Sequence, residues 1–437
     1  MNIELVTFML FASLFVILIL GLPLAFALGS VGICFSYLLW GPNTLFMLTY
    51  QTWGAMNSFV LVAIPLFIFM AVLLEEAGVA GRLYHMMHLW FGSLRGGLAI
   101  GTVVICAIFA AMAGNSAAGT VSVGRIAIPE MLKRNYDKDL AIGAVTCAGG
   151  WGILIPPSII MIIYAVVADE SVGKLFAGGV FPGLLLLGLF TIYITVRCLF
   201  QKHLGPSIPE DERGTLREKM LSLGSVLLPI LIIIMVLGSI LGGITTPTEA
   251  AAMGVLGALI STIVYKKLSW SLLKKATTAT YKLSGMIIWI VFSAHLFTAV
   301  YNGLGASNLI NDLMSYIPGG RWGAIIFIQI VLFLLAMVLD PAGIIFITVP
   351  IFVPYITMLG FDPIWFGILF VVQMEIGYQT PPFGFNLFYL KAIVPPNITM
   401  ADIYRSVIPY TIVELFGLSL IMIFPQIALY LPSIIFK

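Results

Sequence analysis

Two stretches of the chain carry the same unusual pattern: Gly152-Ile153-Leu154-Ile155-Pro156-Pro157 and Gly377-Tyr378-Gln379-Thr380-Pro381-Pro382. Adjacent prolines remove two backbone donors, and the residue before a proline is pushed out of the helical region. The chain therefore unwinds at both places and exposes carbonyl oxygens. The surroundings are strongly apolar. In lipid each unsatisfied backbone group costs several kcal/mol, so such a segment must be buried in protein or coordinate something. Carbonyl oxygens suit a hard cation such as Na⁺. The helix that restarts after the prolines points its positive N-terminus at the break, where an anion is stabilised.

Two further motifs point to the same chemistry. Gly114-Asn115-Ser116 offers a turn, an amide and a hydroxyl, and Asp340-Pro341-Ala342-Gly343 offers a carboxylate at a helix start. An aspartate within the membrane is expensive and is functional by default. Asp340 reads either as an N-cap alone, with Pro341 at the first helical position, or as a cap that also supports an ion site. Thr246-Pro247-Thr248-Glu249 has the spacing of a capping box and reads as structural. Glu375 is placed to support the ion site or to pair within the helical bundle. His295 reads as a satisfied core histidine rather than a proton relay, and Arg125 as an anchor for its arm rather than an anion ligand.

The elements that must position these motifs follow from composition. Of 437 residues, 61% are hydrophobic and only 9% charged, against about a quarter charged in soluble domains. Repeated apolar runs of spanning length, without strand alternation, make this an all-α polytopic membrane protein. A net charge of +2 spread over short clusters excludes a nucleic-acid face, which needs a continuous basic stripe. Cys34, Cys106, Cys147 and Cys198 are scattered and suggest packing, not a disulfide or metal framework. Met1–Leu22 lacks a basic leader region and reads as a retained helix.

Ten crossings are predicted, near Glu4–Leu22, Leu24–Trp40, Phe59–Leu74, Asp139–Ala168, Leu175–Arg197, Met220–Leu241, Pro247–Tyr265, Met286–Tyr301, Pro363–Lys391 and Arg405–Leu431. Two segments enter and leave on one side: Leu98–Ala113 with Ala117–Leu132, and Ala324–Leu339 with Gly343–Leu359. With the N-terminus outside, the basic places Arg82–Arg95, Lys133–Lys138, Arg197–Lys219, Lys266–Lys282, Lys391 and Arg405 all fall inside. The outside keeps little beyond Lys174, Arg321 and Lys437, as the positive-inside rule requires. Arg82–Leu94 and Leu268–Lys282 read as amphipathic arms along the cytoplasmic surface, preceding equivalent parts of two halves.

A shift of 225 positions superposes the second part of each half. Asn115 falls on Asp340, Pro129 on Pro354, Tyr136-Asp137 on Phe361-Asp362, Gly152 on Gly377, Pro156-Pro157 on Pro381-Pro382 and Tyr164 on Tyr389. So many matches in one register define two inverted repeats, residues 1–219 and 220–437. Each has a hairpin (about 96–135 and 323–360) and a broken helix (about 139–168 and 363–391). Inverted repeats of this kind belong to secondary transporters, whose substrate and ions bind at the repeat interface.

The same residues resemble the large membrane subunit of TRAP (tripartite ATP-independent periplasmic) transporters, the DctM-like proteins. Nearly the whole chain is covered. The resemblance rests on Gly124–Met131 (GRIAIPEM), Gly152–Ser158 (GILIPPS), Gly243–Ala252 (GITTPTEAAA) and Thr380–Leu387 (TPPFGFNL). Asn115 departs from the family pattern, where serine is expected more often after this glycine. The resemblance implies a Na⁺-driven elevator in the bacterial inner membrane, with no organic cofactor. A separate small four-helix membrane subunit would pair with it, and a periplasmic binding protein would deliver a dicarboxylate, sugar acid, keto acid or sulfonate. It also implies one Na⁺ among Gly114, Asn115, Ser116, Gly149, Gly152, Ile155 and Pro156. A second would lie among Asp340, Ala342, Gly343, Gly377, Thr380 and Pro381. Substrate would lie between the tips, near Asn115, Ser116, Pro157, Ser158, Pro382 and Asn386. A stand-alone Na⁺–dicarboxylate symporter is the second reading. A membrane enzyme is disfavoured, because four scattered histidines supply no convergent catalytic set, and sealed hairpin tips suit alternating access better than a channel.

Overall fold

The computed structural model describes residues 3–210 and 213–436, and every regular element among them is helical. Lys437 of the outer charge tally, Met1, and Asp211-Glu212 of the polar loop lie outside the described residues. The first half runs α1 (Ile3–Ile19), α2 (Leu24–Trp40), α3 (Thr44–Met56), a 3₁₀ turn (Phe59–Val62), α4 (Ala63–Glu76) and α5 (Val79–Phe91). It continues through α6 (Gly97–Ala113), α7 (Ser116–Lys133), α8 (Lys138–Gly150), a 3₁₀ turn (Trp151–Ile153), α9 (Ile159–Ala168) and α10 (Val172–Phe200). The second half runs α11 (Leu216–Leu241), α12 (Pro247–Val264), α13 (Trp270–Gly303), α14 (Ala306–Ser315) and α15 (Gly320–Ala336). It ends with α16 (Pro341–Met358), α17 (Pro363–Tyr378), α18 (Phe385–Lys391), α19 (Met400–Ile423) and α20 (Gln426–Ile435).

The helix starts lie where short polar side chains can accept orphan N–H groups. Asn115 caps α7, Asp137 caps α8, Ser158 caps α9, Asp340 caps α16 and Asp362 caps α17. The expected box at Thr246 and Glu249 is present with both arms closed, and Thr215/Glu218 and Thr399/Asp402 form two more. Gly114 ends α6 at φ 63°, the left-handed conformation that a glycine adopts without strain.

Several expected segments differ. Arg82–Leu94 does form a short helix, α5, but Leu268–Lys282 is the front of the single long helix α13. At the 225-residue shift the partner of α5 is α14, and the partner of the front of α13 is α3; neither α3 nor α14 was expected. Arg405–Leu431 is interrupted at Phe424-Pro425, where proline cannot continue the hydrogen-bond ladder. Six described helices are long and apolar enough to cross a membrane, or seven if the bent pair Leu216–Gly224 and Val226–Leu241 is one span. The expected crossings at α1 and α2, with 17 residues each, and at both proline-interrupted segments are missing from this set, whereas α16, expected as a re-entrant arm, is among the six.

Helices correspond at the shift of 225 residues, and they pack crosswise. α2 packs on α13 while α12 packs on α4; α5 packs on α11 while α14 packs on α1. Likewise α7 meets α18 while α16 meets α9, and α8 meets α19 while α17 meets α10. Burial separates two layers. α6 and α17 are buried almost all round, as central helices must be. α1 and α11 expose Phe8, Ile19, Leu227 and Ile234, an apolar face suited to lipid.

Candidate functional site at the two hairpin tips

The tips at Gly114-Asn115-Ser116 and Asp340-Pro341-Ala342 line one cavity of about 200 Å³. α6 and α7 bring the first tip in, and α15 and α16 bring the second. Behind the first tip lies the first break. Ile159 N–H donates to the Gly114 carbonyl at 3.3 Å. Gly152 sits so close to the tip that a Cβ there would lie 2.1 Å from the Asn115 carbonyl oxygen. Only glycine admits that approach.

The second tip is held differently. Asp340 accepts from Ala342 N–H at 3.0 Å and from the Tyr378 hydroxyl at 3.1 Å. Tyr389 stands within hydrogen-bonding reach of Tyr378, and both tyrosines line the cavity. Its 225-residue counterpart, Tyr164, is buried elsewhere and donates to the Pro363 carbonyl at 2.9 Å. At the second break Thr380 donates its hydroxyl to Ile376 O at 2.6 Å, and Gly377 packs against Ala336. Both Pro-Pro bonds are cis.

Of the residues expected at the site, Gly114, Asn115, Ser116, Asp340 and Ala342 line the cavity, and Gly152 and Pro157 abut the first tip from behind. The rest have other neighbours. Gly149 faces Thr120, Ile155 faces Gly183, and Gly343 faces Leu24 of α2. Pro156, Pro381 and Thr380 are set back from the cavity wall. Ser158 is fully buried and spends its hydroxyl on Ile153 O at 2.5 Å and on capping Met161 N–H. The Pro382 carbonyl accepts from the Tyr404 hydroxyl at 3.1 Å. Asn386 is fully buried beside Glu375, across Gly150, and reaches Thr146 O at 3.5 Å. The structure thus places Ser158, Pro382 and Asn386 outside the cavity that Asn115 and Ser116 line.

Glu375 lies on α17 with neither carboxyl oxygen hydrogen-bonded among the described residues, and nearby Gln379 donates its amide N–H to Glu414 of α19. All three side chains have no exposure. His295 is half-buried on α13. Arg125 is exposed on α7 and makes no ion pair among the described residues.

Residues not singled out from sequence supply most of the wall. Ile159, Ile160 and Ile163 come from α9, Leu283, Met286, Ile287 and Ile290 from α13, with Ile68 of α4 and Ile153. Their side of the helix was invisible without knowing that α13 crosses the tips. For Tyr389 the repeat register was a signal, because it pairs with Tyr164.

The model of the tripartite ATP-independent periplasmic transporter, DctM component, matches residues 11–427. The chain belongs to this family. It is 36% identical over 401 residues to the C4-dicarboxylate TRAP transporter large permease protein DctM of Pseudomonas aeruginosa, covering 91% of this chain and 92% of that one. It is 30% identical over 433 residues to the ectoine TRAP transporter large permease protein TeaC of Halomonas elongata, covering 99% and 100%. Its fold is similar to the crystal structure of the Alcanivorax borkumensis YdaH transporter, at a TM-score of 0.65 and 15% identity, covering 87% of this chain and 88% of that one. A DctM-family chain is a multi-pass transporter permease and not an enzyme.

Proposed function

We propose that this chain is the large membrane permease of a Na⁺-coupled secondary transporter that imports a small organic anion. The observation that carries the reading is the meeting of two helix-capped tips, one neutral and one anionic, in a single cavity. The crosswise packing of corresponding helices supports two inverted repeats, the architecture in which half-helix termini face substrate and unwound carbonyls face ions. A Na⁺ between each tip and its break would supply the positive charge that the cavity's side chains do not. An elevator movement would carry the tips and breaks against α2, α4, α12 and α13. The partners are a small four-helix membrane subunit and a periplasmic binding protein, each a separate chain, in a bacterial inner membrane with the N-terminus periplasmic.

Reconstitution of the permease with both partners tests this. Substrate uptake into proteoliposomes should follow an imposed Na⁺ gradient. Uptake unchanged when that gradient is removed would sink the coupling, and uptake without the binding protein would favour the stand-alone symporter.

A further inference from the structure

We propose that the cavity selects a small monocarboxylate with an aliphatic body, its carboxylate at the Asn115–Ser116 tip and its body against the walls of α9 and α13. The proposal rests on reading this cavity as the place of the transported anion.

Charge argues first. The only formally charged side chain lining the cavity is Asp340; no lysine, arginine or histidine lines it. Asp340 also occupies its own helix terminus, accepting from Ala342 N–H. The start of α16 is therefore already met by a carboxylate, and a Na⁺ at the second tip would be balanced by Asp340 rather than offered to an anion. The start of α7 is different, because its cap, Asn115, carries no charge. The partial positive charge of that eighteen-residue helix remains available to a carboxylate. Ser116 marks the spot. It lines the cavity at 4% exposure, and its hydroxyl makes no hydrogen bond in the described structure. One carboxylate is thus provided for. A second would be desolvated against hydrocarbon or against Asp340.

Shape and polarity argue next. Ile159, Ile160 and Ile163 on one side and Met286, Ile287 and Ile290 on the other form apolar walls. The polar side chains beyond the first tip are few, Asp340, Tyr378 and Tyr389, and the Tyr378 hydroxyl is already given to Asp340. A sugar acid would leave its row of hydroxyls unpaired there. A cavity of about 150 Å³ holds benzene, so about 200 Å³ is enough for a short branched acid.

The full-length permease, purified with its small membrane subunit in nanodiscs containing Na⁺, can be titrated with isovalerate, succinate and gluconate while the thermal unfolding midpoint is followed. Isovalerate should give a saturable shift, and succinate and gluconate should bind at least about tenfold more weakly. The substitution I163R should reverse the order in favour of succinate, and S116A should weaken isovalerate. No response to isovalerate, or succinate binding as tight as isovalerate, overturns the proposed class. Isovalerate binding untouched by both I163R and S116A would show that the ligand lies elsewhere and would overturn the reading of the cavity itself. Either result leaves Na⁺-driven uptake as a separate question.

Discussion

Asp340 concentrates two jobs in one side chain. As an N-cap it satisfies the Ala342 N–H and sets the start of α16. As a partly buried carboxyl group beside Tyr378 it is the one acidic side chain lining the cavity. The two jobs separate experimentally, because asparagine caps a helix about as well as aspartate but carries no charge. Replacing Asp340 by asparagine should leave thermal stability within about 1 kcal/mol and raise the Na⁺ concentration needed for half-maximal uptake by about tenfold or more. A normal Na⁺ response in that variant would reduce Asp340 to a cap. Asn115, at the equivalent position, already performs the cap without the charge. The two tips are chemically unequal, one capped by an amide and one by a carboxylate.

Among the elements, the outer link between α9 and α10 supplies a local electrostatic test. Glu170 follows α9, and Asp362 caps α17 nearby. Burial first, then the Asp362 charge, raises the Glu170 carboxyl above its ordinary range. The folded state therefore disfavours the ionised form. This destabilisation is complete above the raised value and disappears as pH falls below the ordinary glutamate range. Glu170→Gln should stabilise the permease at neutral pH by less than about 1 kcal/mol, given its partial exposure. The gain should vanish in acid, as thermal unfolding at both pH values would show; a gain independent of pH would refute the electrostatic cause. Capping explains why part of the element order was legible. Asp340 before Pro341 and the Thr246/Glu249 box announce their helix starts by residue type and spacing, whereas the caps at Asn115, Asp137, Ser158 and Asp362 became visible only in the structure. What stayed hidden had no such mark. α3 and α14 are short and lie between longer apolar runs, and the front of α13 is polar enough to pass for a surface arm. The apolar wall from α9 and α13 needed the packing of α13 against α16, which no local pattern encodes.

At the scale of the whole molecule the remaining claim is direction. Corresponding helices share one shift and pack crosswise, as two copies related by a two-fold axis would. Ion pairs knit those copies together on one side: Lys138 with Asp402 at 2.7 Å, and Arg405 with Asp139 at 2.8 Å. Both ties join α8 of the first half to α19 of the second, near the ends that the distribution of basic residues assigns to the cytoplasm. Lys174, in the first turn of α10, should then face the periplasm, and Lys202, after its last turn, the cytoplasm. Cys34 is the one exposed cysteine, whereas Cys106, Cys147 and Cys198 are buried. Replacing Cys34 by serine therefore leaves a background in which single cysteines at 174 or 202 can be read. A membrane-impermeant maleimide applied to cells with a permeabilised outer membrane should label Lys174→Cys and spare Lys202→Cys until the inner membrane is opened. The opposite pattern would place the N-terminus inside and reverse both hairpins. Labelling of both from one side would mean that α10 does not cross, and the inverted arrangement would fall with it.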